Sequence, residues 1–67
     1  MTGQWSVTHN PMGGYRVYRL RDVMQVDHSG NREYYGGYTD DKEKAERIAH
    51  KLHIGEIIPE ENEILRG

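Results

Sequence analysis

The sequence predicts a small α+β domain: a three-stranded antiparallel β-meander with one α-helix packed on one face, in the order βββα. Three stretches rich in β-forming residues are each followed by Gly, Pro, Asn or Asp. An apolar stripe at helical spacing comes after them, at Ala45, Ile48, Ala49 and Leu52. The length, 67 residues, suffices for one domain.

Residues 4–9, Gln-Trp-Ser-Val-Thr-His, alternate so that Trp5, Val7 and His9 share one face of a first strand. Residues 10–14 end it: Pro11 lacks a ladder donor, and Gly13 and Gly14 permit the positive φ of a hairpin loop. Residues 15–21 form the second strand, with Tyr15 and Val17 on one side and Tyr18 and Leu20 on the other. That two-sided pattern suits the centre of a meander. Residues 22–26 either prolong this strand or bulge out of it. Residues 27–31, Asp-His-Ser-Gly-Asn, are turn chemistry: Asp27 and Ser29 can bond nearby amides, and Gly30 and Asn31 tolerate the left-handed region.

Residues 32–38 make the third strand, whose Gly36-Gly37 pair calls for a bulge or a close backbone approach. Because a helix follows at once, close sheet-to-helix contact is the economical reason. Asp40 as N-cap and Glu43 three residues on have capping-box spacing, and the helix runs to about His53. Ile54-Gly55 stops it. Residues 56–58 read as a short extended segment, and Pro59-Glu60-Glu61 as the start of a last helical turn with Ile64 and Leu65 as its apolar pair. The chain thus divides into a βββα domain, residues 1–54, and an acidic tail, residues 55–67, with room for a short further element.

An apolar fraction of 34% and a mean hydropathy of -0.97 leave only a small core, and five Tyr and one Trp supply its aromatic bulk without any Phe. The absence of Cys removes disulfides, thiolate zinc sites and cysteine nucleophiles. With no basic-plus-apolar leader pattern and no run of 18 apolar residues, the expectation is a cytoplasmic protein with no membrane partner. The net charge of -2 is uneven: residues 1–39 carry +1, residues 40–54 balance, and residues 55–67 carry -3.

Residues 17–22 (Val-Tyr-Arg-Leu-Arg-Asp), residues 26–34 (Val-Asp-His-Ser-Gly-Asn-Arg-Glu-Tyr) and the helix end Ala-Glu-Arg-Ile-Ala-His-Lys-Leu together resemble a group of short bacterial and phage-associated proteins. These open with a Trp-containing strand and close with a helix. The resemblance spans about residues 4–53 and implies a fold without an activity. Residues 37–40, Gly-Tyr-Thr-Asp, leading into an Ala-bearing helix are also similar to the AP2-type and integrase N-terminal DNA-binding domains. The interval from Tyr38 to Ala45 is one residue longer here and the surrounding charge is far less basic.

Two surfaces are candidates for function. Tyr15, Arg16, Tyr18, Arg19, Arg21, Arg32, Tyr34 and Tyr35, with Tyr38, put rings and guanidinium groups on adjacent strands. Such a face can stack bases and hold phosphates, or serve as ordinary sheet surface stabilised by cross-strand pairs. Ile57, Ile58, Ile64 and Leu65 are large aliphatics in an acidic tail, suited either to packing on the small core or to adding to a partner or a second copy of the chain. His50 and His53, three apart on the helix, suit its negative end better than a metal site. Asp27-His28-Ser29 contains the names of a catalytic triad, but neighbours on one turn do not present triad geometry. Phosphate-loop spacings are missing, and no nucleophile or base stands out, so neither cofactor nor metal nor catalysis is expected. The leading expectation is a non-enzymatic protein-interaction or accessory module. Nucleic-acid binding through the Arg/Tyr face is the alternative.

Overall fold

The computed structural model describes residues 1–60 and 63–66. Among them the chain forms β1 (Ser6–His9), β2 (Tyr15–Leu20), a 3-10 turn (Ser29–Asn31), β3 (Arg32–Thr39), α1 (Lys42–His53) and β4 (Ile64–Arg66). The strands make one antiparallel sheet in the order β1-β2-β3-β4. The α+β class and the covering helix agree with the sequence, but the sheet has four strands where three were expected. The fourth falls at Ile64 and Leu65, where a helical turn was expected, and it pairs Tyr35 with Ile64 and Tyr34 with Leu65. Of the expected start of that turn, Pro59-Glu60-Glu61, the first two residues are in no helix and Glu61 lies outside the described residues.

The β1-β2 hairpin closes through Asn10, whose amide donates to Gly14 O at 2.9 Å and whose Oδ1 accepts from the Met12 amide at 2.9 Å. Gly13 (φ +106°) and Gly14 (φ +94°) take the backbone region that side chains avoid. Residues 22–26, which the sequence left open, do not prolong β2; together with the turn expected at residues 27–31 they form one loop that ends in the 3-10 turn. The loop's centre is Asn31, 5% exposed, whose Nδ2 donates to Asp22 O (2.9 Å) and Val26 O (3.1 Å) while its Oδ1 accepts from the Asp22 amide (3.1 Å). Neither Gly30 nor Asn31 uses positive φ. Asn31 serves the turn through its side chain, and the Gly30 amide donates to His28 Nδ1 at 3.0 Å.

Gly36 and Gly37 work differently from the expected sheet-to-helix contact. A Cβ on either would meet nothing within 4 Å, so no close approach demands them. They form a bulge: Tyr15 pairs with Thr39 and Val17 with Tyr35, so residues 36–38 all stand opposite Arg16. Gly36 provides the positive φ, +71°. The excess over the partner strand is one full pleat period, so Thr39 keeps the side of the sheet that Tyr35 faces.

Helix α1 begins one residue later than the capping spacing suggested. Asp41, not Asp40, is the N-cap, with Oδ1 accepting from the amides of Glu43 (3.0 Å) and Lys44 (3.3 Å), and Thr39 Oγ1 accepts from the Asp41 amide. Gly55, at φ +79°, ends the helix. The expected stripe is the buried one: Ala45, Ala49 and Leu52 close over Val17, and Trp5, Val7, Tyr15, Tyr35, Ile48 and Ile57 pack around them. Small side chains at 45 and 49 let the helix lie close to the sheet. The opposite face of the sheet carries no helix among the described residues.

Candidate functional site

Strand alternation sorts the candidate face residues onto the two sides of the sheet. Tyr15, Arg19 and Tyr35 share the side of Val17, under the helix. There Trp5 meets Tyr35 edge-on, with ring centroids 6.2 Å apart, and Arg19 lies 4.5 Å over the Trp5 ring. Arg19 Nε donates to Glu33 Oε2 at 2.9 Å, with side-chain exposures of 25% and 11%. Arg21, at the end of β2, approaches Glu33 Oε1 from 3.7 Å. His9 stacks on Tyr15 at 4.8 Å, completing the face expected of Trp5, Val7 and His9. These residues hold the fold together and are not part of one surface with the rest.

Arg16, Tyr18, Arg32 and Tyr34 do come together, on the open side. The Arg16 guanidinium sits 4.2 Å over the Tyr34 ring and 5.1 Å from that of Tyr38, and Arg32 sits 4.3 Å over Tyr18. Leu65, the partner of Tyr34 across β4, joins them half-exposed. A strand pairing that no local pattern revealed thus merges part of the tail with the sheet face. Ile64 is half-buried opposite Tyr35, Ile57 packs on the core, and Ile58 is exposed.

The two arginines of the open side differ in charge balance. Asp27 takes Arg32 in a two-pronged pair, Nε to Oδ1 at 2.7 Å and Nη2 to Oδ2 at 3.0 Å, and Arg32 Nη1 donates to Thr8 Oγ1 at 3.3 Å. Hydrogen bonding to Arg32 holds the Asp27 carboxyl below its ordinary value, and the same bond holds the Arg32 guanidinium above its own. Arg16 instead donates Nε to Gly36 O at 3.1 Å and pairs with no carboxylate among the described residues. The bulge therefore has a second role: its freed carbonyl orients Arg16. Asp27 was legible only as a turn residue, because its partner lies five residues on and across that turn.

A cleft of about 230 Å³ opens where the bulge faces the first turns of α1, with Tyr15, Val17, Tyr35, Ala45 and Ile48 as apolar walls. An open polar hollow of about 430 Å³ lies at the other end, beside Asp22, His28 and Glu33. Among the described residues, no three His, Asp or Glu side chains gather as a metal would need, and no helix is long and apolar enough to cross a membrane. In comparisons with known proteins, the chain matches no family model, no curated sequence and no solved structure.

Proposed function

We propose that this chain is a non-enzymatic interaction module that holds an acidic segment of a protein partner against the open face of its sheet. The observation that carries the reading is Arg16, laid over Tyr34, fixed by Gly36 O and left without a carboxylate among the described residues. A planar, pre-oriented guanidinium beside Tyr18, Tyr34, Tyr38 and Leu65 has the Tyr and Arg chemistry in which binding energy concentrates at protein interfaces. Its open charge favours a partner carboxylate, which it can take in two prongs as Arg32 takes Asp27.

The same geometry argues against a base-stacking platform. Tyr18 and Tyr34 each have a ring face under a guanidinium, and Asp27 offsets one of the two positive charges. Phosphate binding draws on several bases unopposed by acids.

Selection of the whole chain against a random peptide library tests the reading. Acidic peptides with neighbouring apolar residues should be enriched. Their affinity should fall at least tenfold in Arg16→Glu and stay unchanged in Arg47→Glu, on the exposed side of the helix. Failure to enrich any peptide, or equal binding by Arg16→Glu, would end the proposal. Steeply salt-dependent binding of a single-stranded oligonucleotide, lost in Arg16→Glu, would replace it with the nucleic-acid reading.

A further inference from the structure

The cleft beside the bulge has a composition that the fold itself does not require. Gly36 is needed for its φ of +71°, but Gly37 has no positive φ, and a Cβ there would meet nothing within 4 Å. Neither a positive φ nor packing calls for glycine at position 37, and where Gly37 lines the cleft there is open room. That room is bounded by aromatic and aliphatic walls, Tyr15, Tyr35 and Ile48, and by Lys44 at the rim. Lys44 is exposed and pairs with no carboxylate among the described residues, whereas Lys42, two residues before it, engages Glu46 at 3.9 Å.

We propose that this cleft receives one aromatic side chain of a protein partner, with an adjacent carboxylate of that partner meeting Lys44. Size separates this occupant from a small-molecule ligand. At about 230 Å³ the cleft falls below the roughly 300 to 1,000 Å³ usual for such sites, and it suits a single ring. The Tyr15 and Tyr35 rings offer edge and face contacts to that ring, and an apolar anchor in a pocket is the usual centre of a protein interface. Charge complementarity at Lys44 selects the acidic neighbour. The inference rests on the reading of the chain as a protein-interaction module and adds the anchor to it. Tyr38 connects the two regions, lining the cleft and standing 5.1 Å from Arg16.

The test is an NMR titration of the full chain with acetyl-Asp-Trp-amide, acetyl-Lys-Trp-amide, acetyl-Asp-Ala-amide and indole-3-acetate. The Asp-Trp peptide should give saturating shifts at Gly36, Gly37, Ala45 and Ile48. The Lys-Trp peptide should bind at least fivefold more weakly, and the Asp-Ala peptide should not saturate. Lys44→Glu should reverse the preference between the two Trp peptides. Gly37→Leu, which puts a side chain at the cleft, should abolish binding and leave the remaining spectrum folded. Should Gly37→Leu fail to fold, the Lys44→Glu reversal decides alone, since that position is on the helix surface. Absence of saturating shifts at those residues, an unchanged preference in Lys44→Glu, or saturation by indole-3-acetate but not by the Asp-Trp peptide would overturn the proposal. The outcomes separate from those above: peptides lost in Arg16→Glu with a silent cleft would remove the anchor and leave the open face standing.

Discussion

On the covered side of the sheet, Arg19 lies over Trp5 and binds Glu33 beneath the helix; on the open side, Arg16 lies over Tyr34 and binds a backbone carbonyl. The residue types are nearly the same and the consequences differ. Under the helix, a guanidinium is matched to a carboxylate that is only 11% exposed, so the pair belongs to the packing. On the open side, water solvates whatever the ring does not cover, so Arg16 need not find an acid within the chain. What separates a structural Arg/aromatic pair from one available to a partner is the side of the pleat, a matter of one residue in register.

If the covered side supplies most of the stability, its core should be the most sensitive region. Leu52→Ala should cost about 2–4 kcal/mol. In a domain of this size that approaches the whole stability, so the variant should be largely unfolded or nearly so in urea titrations followed by Trp5 fluorescence. A loss below about 1 kcal/mol would show that the helix is not the main cover of the sheet. Next in size, Arg19→Met should cost about 1–3 kcal/mol, because it leaves a mostly buried carboxylate with a weaker set of partners. It should also shift Trp5 emission, since the guanidinium leaves that ring.

The helix start gives a smaller and sharper check. Asp41→Ala should cost about 1 kcal/mol, while Asp40→Ala should stay within about 0.5 kcal/mol. Equal losses would contradict the cap that the hydrogen bonds to Glu43 and Lys44 define.

That one-residue displacement shows where sequence reasoning reached its limit. The stripe Ala45, Ile48, Ala49 and Leu52 was readable because four positions at helical spacing reinforce one another. Asp40 and Asp41 were not separable, since both can cap and only the path of the chain out of β3 chooses between them. The first three strands were readable from β-forming runs and their turns. The fourth was not, because Ile64 and Leu65 are too few to show a period and pair with Tyr35 and Tyr34 across an intervening helix. For the candidate site, composition gave the residue types, but the division of Tyr15, Arg19 and Tyr35 from Arg16, Tyr18, Arg32 and Tyr34 follows from which face the helix covers. The Gly pair carried two meanings, bulge or close contact, and only backbone geometry distinguished them.

Acid should probe the open side through Asp27. Its carboxyl is held below the ordinary value of 3.8, chiefly by hydrogen bonds from Arg32, so the pair favours the folded state above that ordinary value. The contribution should fade as pH drops below about 4 and through the lowered folded value. Wild type and Asp27→Asn should therefore differ in thermal midpoint at pH 6, with a gap that narrows as the pH falls below 3.8, and a constant gap across that range would remove the pair from the acid response.

Of Arg16 and Arg19, Arg16 should have the smaller effect on stability, and that smallness is the point of the comparison. Its contact with Tyr34 is partly exposed, and cation–π pairs in such settings contribute about 0.5–1 kcal/mol. Arg16→Ala should thus shift the urea midpoint only slightly, against the larger loss in Arg19→Met. If both arginine variants lost stability equally, the open side would be as structural as the covered one, and Arg16 would have no free role to offer a partner. If Arg16→Ala is nearly silent in stability yet removes the binding of selected acidic peptides, the two faces divide between holding the fold and using it.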